Sequence, residues 1–290
     1  MPPLTPNNIN PAWKDVQYAV RGPIAIKAEE YRDRLRKGDK TLPFDRVVNS
    51  NIGNPQQKGL DQKPITFTRQ VAALLEYPEL MEKGKDIFPA DAIARAKELY
   101  DEIGSIGAYS HSQGVPFIRN NTNLFAERDG HPADPSQIFL TAGASAGVSL
   151  LISMLISSPK SGILIPIPQY PLYTATLAQQ GGVPVPYYLD ESKGWSTSPE
   201  SVSAAVAKAL KDGIEPKALV VINPGNPTGS ILDLQTMEAL LKICEEHSLM
   251  LLADEVYQAN THDPANYPWT SFKKVLRDTN SPVPLVSFHS

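Results

Sequence analysis

A single cysteine, Cys244, stands among 290 residues, so neither a disulfide framework nor a Cys-x-x-Cys metal set can be built, and a reducing compartment suits the chain. Cys244 shares a helical stripe with Met237, Leu240 and Leu241 and reads as a small buried hydrophobe without a chemical role. The five histidines form no HExxH and no paired spacing, which leaves a metal site unsupported. Basic blocks are absent as well. With a net charge of -4 and no Lys/Arg cluster, the chain lacks the patch that releases counterions from nucleic acids, and neither a nucleic-acid nor a membrane-surface role is expected. The apolar run from Val148 to Ile156 is broken by Ser149 and Ser153 and falls short of the roughly 20 residues of a membrane span. The first residues, MPPLTPNNINPAW, show no apolar h-region and no Arg/Ser-rich amphipathic pattern, so no targeting segment is read there. The expected address is cytoplasmic, with a mitochondrial one left open.

What is present is enough apolar residue, 41%, for a substantial core. Up to about Pro64 proline-rich segments surround one charged helical stretch, Ile26 to Lys37, and read as an arm. From Ile65 the periodicity is helical at Phe67–Tyr77, Ala90–Ile103 and Val115–Arg128, the last closed by Asp129-Gly130. Strands are expected at Gln137–Leu140, Gly162–Ile167, Val183–Tyr188, Lys217–Ile222, Leu249–Ala253 and Val283–Phe288. Helices are expected after Gly143, from Leu172, and at Pro199–Lys211, Asp233–His247 and Ser271–Arg277. Strands with little polar alternation, separated by helical crossovers, predict a three-layer α/β fold whose mostly parallel sheet carries helices on both faces. Ligands of such sheets lie beyond the carboxyl ends of the strands.

Four segments sit at those ends. TAGASAG, Thr141–Gly147, opens a helix, and the backbone of Gly143, Ala144 and Ser145 with the Ser145 hydroxyl suits one phosphate. There is no Gly-Lys-Ser/Thr, which excludes a Walker site, and Pro166 and Pro168 stand where a dinucleotide fold needs an acidic residue. By itself the Gly-Ala-Ser turn is an ordinary helix start. IPIPQYPLY, Ile165–Tyr173, ends a strand with Tyr170 held among prolines; a packed loop tyrosine is the plain alternative, and Tyr173 is read as core. NPGNPTG, Asn223–Gly229, and LLADEVYQ, Leu251–Gln258, end two neighbouring apolar strands. Asn226 and Tyr257 can each donate to one phenolate oxygen, while Asn223 shapes its loop. An Asp directly after five apolar residues is expensive to bury unless something pairs with it, and a protonated ring nitrogen would pair with Asp254. Glu255 points the other way and is read as structural. These groups suit a pyridine ring, and the cofactor implied is pyridoxal phosphate.

With these motifs in this order, the chain resembles the alanine aminotransferases, members of the fold type I pyridoxal-phosphate family, from YAVRGPI (Tyr18–Ile24) to SFHS (Ser287–Ser290). The resemblance implies that Gly143, Ala144, Ser145 and Ser290 bind the cofactor phosphate and that Tyr170 stacks on the ring, where aspartate aminotransferases carry Trp. Asn226 and Tyr257 would meet the ring oxygen, and Asp254 the ring nitrogen. It also implies a homodimer in which Tyr109, in YSHSQGVPFIR, reaches the neighbouring subunit's phosphate, and a substrate carboxylate against Gly53. Residues 1–64 would be an arm with part of a small domain, and 65–290 a cofactor-binding large domain incomplete at its C-terminus.

In the family, SFHS continues into Thr-Ser-Lys-Gly, whose lysine forms the Schiff base; this chain stops at Ser290, so no catalytic residue is expected within it. Residues 1–290 alone are therefore expected to be inactive and, with the apolar face that the family's C-terminal segment covers left open, poorly soluble. Ser271-Phe-Lys-Lys274 repeats the Ser-x-x-Lys spacing, but on a helical pattern, so Lys274 is set aside, as is His289. The implied reaction is amino transfer from L-alanine to 2-oxoglutarate, giving pyruvate and L-glutamate. Alternatives that remain open are another fold type I enzyme, such as a different aminotransferase or an aminocyclopropane-carboxylate synthase-like lyase, and a non-catalytic fragment.

Overall fold

Five strands, β1 (Ser161–Ile167), β2 (Val183–Tyr188), β3 (Glu215–Ile222), β4 (Met250–Asp254) and β5 (Leu285–Phe288), pair side by side, every pair parallel, in the order β2-β1-β3-β4-β5. The computed structural model describes Thr5 and residues 10–18, 22–53, 63–126 and 129–290. Part of the proline-rich arm, 54–62 included, and the expected helix end at Arg128 lie outside the described residues. The helices are α1 (Pro23–Arg36), α2 (Thr66–Glu76), α3 (Leu80–Lys83), α4 (Ala90–Ile103), α5 (Pro116–Ala126), α6 (Ala144–Leu155), α7 (Leu172–Gln180), α8 (Pro199–Lys211), α9 (Leu234–Glu246) and α10 (Phe272–Asp278).

The two-residue period of the strands sorts their side chains into two cores. Ile163, Ile165, Ala218, Val220, Leu252 and Phe288 pack on one face against Val148 and Ile152 of α6 and Tyr173 and Leu177 of α7. Leu164, Leu219, Val221, Leu251 and Ala253 pack on the other against α8, α9 and α10. A three-layer sandwich follows, because a sheet apolar on both faces must be covered on both. The helix ends obey local chemistry. The side chains of Ser198, Asp233 and Ser271 accept from backbone N–H groups three residues on and start α8, α9 and α10, while Gly181, in the left-handed region, ends α7.

The contacts divide the chain into two compact units, one of 1–47, 129–131 and 141–290, the other of 48–128 and 132–140. This division does not follow the one drawn at residue 64 from composition. In the second unit Val71, Leu74, Met81, Ala92 and Ala96 form a core of their own between α2, α3 and α4. Gln137–Leu140 is not a strand: a short 3-10 turn, Pro135–Gln137, capped by Asp134, precedes it, and Phe139 is 70% exposed. Apolar residues suggest the strand, but among the described residues no strand pairs with it. Among the described residues no helix is long and apolar enough to cross a membrane.

Candidate functional site

Strand parity places the key carboxylate. Leu252 faces the α6–α7 side, and Asp254, two residues on, emerges on that same side, where the Tyr173 phenol donates to its Oδ2 at 2.8 Å. Glu255, one residue further, falls on the α10 side: its Oε1 accepts from the Phe272 N–H at 2.8 Å, and the Ser287 hydroxyl also bonds to it. Adjacent buried acids thus serve opposite faces of the sheet, as the alternation requires.

Asp254 is only 6% exposed, and burial raises its carboxyl above the usual carboxylate range, opposed by the Tyr173 phenol and by the Val256 N–H at 3.4 Å. Burial, and then the Asp254 charge, hold the Tyr173 phenol well above its ordinary range, so this hydroxyl can serve the carboxylate only as a donor. An ionised carboxylate accepts about four hydrogen bonds. Asp254 has two donors and, among the described residues, no ion pair, so a cationic N–H is what its acceptor set still suits.

The turn after β3 is built by backbone. Asn223 is fully buried; its Oδ1 accepts from the Leu232 N–H at 3.1 Å, and its carbonyl accepts from the Trp269 indole at 3.0 Å. It therefore shapes the loop, although among the described residues its buried Nδ2 has no partner. Asn226, three residues on, donates from Nδ2 to the Tyr257 hydroxyl at 3.3 Å. Two donors from the ends of β3 and β4 thus converge where a single phenolate oxygen would take both.

At the start of α6, Gly143 has φ 84° and ψ 166°, a conformation open to glycine alone, and no side chain caps the helix. The Gly143 N–H is already used, donating to the Thr141 carbonyl at 2.8 Å. The anion donors are therefore the Ala144 and Ser145 amides with the exposed Ser145 hydroxyl, at the positive end of a 12-residue helix. A Cβ at Gly147 would meet the Phe288 ring at 3.5 Å, which sets the end of β5, two residues before the exposed Ser290, beside the first turns of α6.

Tyr170 is half-buried on the α6–α7 core. Its neighbour Gln169 keeps both side-chain polar atoms buried, without a partner among the described residues. Gly53 and Tyr109 belong to the other compact unit; both are exposed. Lys274 pairs with Asp278 at 2.8 Å on α10, as suits a helical surface lysine. Sequence reasoning missed two residues. Tyr173 is core, as expected, but a fully buried tyrosine also needs a partner for its hydroxyl, and that signal pointed to a role beyond packing. Tyr18, whose hydroxyl bonds to that of Tyr170 at 2.6 Å, gave none.

The residues present thus fit a phosphorylated pyridine: an anion cradle without a lysine or arginine, a buried acid with acceptor capacity left over, and paired donors for a ring oxygen. The site lies at the carboxyl ends of the strands, near the change of strand order at β1 and β3, where open α/β sheets bind ligands.

Comparison with known proteins agrees. The model of the family described as aminotransferase class I and II matches residues 77–280. A probable mitochondrial alanine aminotransferase of Dictyostelium discoideum is 48% identical over 298 residues, which cover 99% of this chain and 55% of that protein. A protein of Saccharomyces cerevisiae named as an inactive alanine aminotransferase is 47% identical, over 94% of this chain and 55% of its own length. The chain spans about half the length of the curated relatives it matches. Among solved structures, an alanine aminotransferase from Pyrococcus furiosus superposes with a TM-score of 0.71 at 24% identity, covering 97% of this chain and 59% of that one, a likeness of fold.

Proposed function

Because the chain belongs to the class I and II aminotransferases, a family that works with pyridoxal phosphate, we propose that it carries the cofactor-binding part of an enzyme moving the amino group of L-alanine to 2-oxoglutarate, with pyruvate and L-glutamate as products. The observation that carries the reading is the buried Asp254 at the end of β4, without an ion pair among the described residues, together with the Asn226–Tyr257 pair at the ends of β3 and β4. The choice of alanine draws support from relatives named as alanine aminotransferases at 48% and 47% identity.

Bound, pyridoxal phosphate supplies an electron sink for the pair left behind when the substrate α proton departs. The chain's own residues prepare that chemistry. Asp254, held by Tyr173, would keep a proton on the ring nitrogen by pairing with it. Asn226 and Tyr257 would hold the ring oxygen, and the first turn of α6, with Ser290, would hold the phosphate. Tyr170 covers the ring and excludes water, a contact worth about 0.5–1.5 kcal/mol beyond burial. The lysine that moves the proton in the family would follow Ser290. Gly53 would receive the substrate carboxylate. The full exposure of Tyr109 suits a residue that reaches a partner subunit's phosphate, so the working form is a homodimer.

The test is pyruvate formation from L-alanine and 2-oxoglutarate by a protein that extends this sequence through the family lysine. A protein that binds the cofactor but transfers amino groups only from other amino acids would overturn the substrate assignment. Failure to bind pyridoxine 5′-phosphate at all would overturn the site.

A further inference from the structure

We propose that Tyr18 is a positioning residue for Tyr170 and that the segment Asn10–Tyr18 is thereby part of the cofactor site; the inference rests on the reading of Tyr170 as the ring that covers the cofactor. Tyr18 meets Tyr170 edge to face, with ring centroids 5.9 Å apart and planes at 88°, and its hydroxyl donates to that of Tyr170 at 2.6 Å. Both rings are half-buried. The contact is therefore shielded without being locked inside the core, as suits a part that must close over a ligand.

Two further observations make the segment more than a passing strand of chain. The 3-10 turn Pro11–Lys14 packs against α7, the helix that begins two residues after Tyr170, and is itself held by Asn10, whose side chain accepts from the Ala12 N–H at 3.1 Å. Tyr170 also rests on the α6–α7 core, so it is supported by the core on one side and has its hydroxyl pinned by Tyr18. A tyrosine ring turns about two torsions. The hydroxyl lies on the axis of the second, so its hydrogen bond fixes the swing of the ring about the first, and the edge-on Tyr18 ring limits rotation about the second. The orientation entropy that stacking would otherwise cost is then spent on folding, before any ligand arrives.

Two measurements on the 290-residue chain test this, with Tyr18→Phe, Tyr170→Phe and the double variant, each of which keeps its rings and loses only hydroxyls. The probe is pyridoxine 5′-phosphate, which cannot bond covalently to a lysine. Each single variant should bind it about fivefold more weakly, the loss expected for one hydrogen bond, and the double variant should be no weaker than Tyr170→Phe. In the ligand-free chain, amide exchange across residues 12–18 should quicken in Tyr170→Phe while α1 stays as it was. Unchanged affinity in Tyr18→Phe, or losses that simply add, would overturn the proposal, even if exchange quickens, because the contact would then be packing alone. If the parent chain does not bind the probe, or binds it equally well as Asp254→Asn, the cofactor reading fails and this inference with it; dependence on Asp254 without dependence on Tyr18 sinks the inference alone.

Discussion

The Tyr173 phenol and the Asp254 carboxylate meet 2.8 Å apart where α7 packs on the end of β4, both nearly free of solvent, with the phenol as the carboxylate's shorter donor. Removing that donor leaves Asp254 with the longer Val256 N–H. Tyr173→Phe should lower stability at neutral pH by about 1.5–3 kcal/mol, the usual worth of a hydrogen bond to a charged group. Because the phenol lowers the Asp254 carboxyl, its loss raises that carboxyl further, and pyridoxine 5′-phosphate binding should begin to fail at a higher pH on acidification. Denaturant titration and binding across pH check both parts; an unshifted binding profile would mean that Tyr173 is filler.

Asp254 sets function against stability. Its burial costs free energy while, among the described residues, no cation pairs with it, so Asp254→Asn, which keeps the shape and still accepts from Tyr173, should leave the ligand-free chain at least as stable at neutral pH. The same change should weaken pyridoxine 5′-phosphate by about tenfold or more, since a charge-assisted bond is lost. Melting curves and a binding titration on one preparation separate the two effects. A variant both less stable and equally tight would assign Asp254 a structural role.

Glu255 makes stability depend on pH. Burial, more than its backbone and hydroxyl donors can offset, pushes its carboxyl from an ordinary 4.5 up to about 7. The folded chain then holds this proton where the unfolded chain has released it. Its contribution is fully present below pH 4.5 and is lost as pH rises to 7, by about 3 kcal/mol in all. Glu255→Gln keeps the acceptor for Phe272 and should remove most of that slope. The difference between the two proteins' stabilities from pH 4.5 to 8 is the measurement, and parallel curves would refute the assignment.

Gly143→Ala forces a side chain into a backbone conformation of φ 84° and ψ 166°, at a cost of about 1–3 kcal/mol. To relieve it, the first turn of α6 must shift, so the affinity for inorganic phosphate should fall together with the melting temperature. Gly181→Ala, at a left-handed helix end away from the anion cradle, should lower the melting temperature but leave phosphate affinity alone. Equal phosphate affinity in the Gly143 variant would place the anion elsewhere.

Much of this was legible along the chain because it depends on local chemistry. Asp254 and Glu255 are adjacent, and the two-residue period of a strand alone sends them to opposite faces. The capping residues Ser198, Asp233 and Ser271 announce their helices, and the β2 and α8 boundaries follow directly from the apolar pattern and its flanks. Asn226 and Tyr257 sit at strand ends, so parallel pairing of β3 with β4 was enough to bring them together. Other features required contacts between residues far apart in sequence. No periodicity reports that the Tyr18 hydroxyl meets Tyr170 across 152 positions, or that Tyr173 serves Asp254 across 81. The exposed end of Gln137–Leu140 looked like a strand because its residues favour one, and only the lack of a pairing neighbour decided otherwise. Sequence by itself determined the five strands, most of the helices and the face on which Asp254 emerges, since propensity, parity and desolvation act on each residue where it stands. That Tyr173 holds this acid, and that Tyr18 meets Tyr170, was decided only when tertiary packing brought distant hydroxyls to their partners.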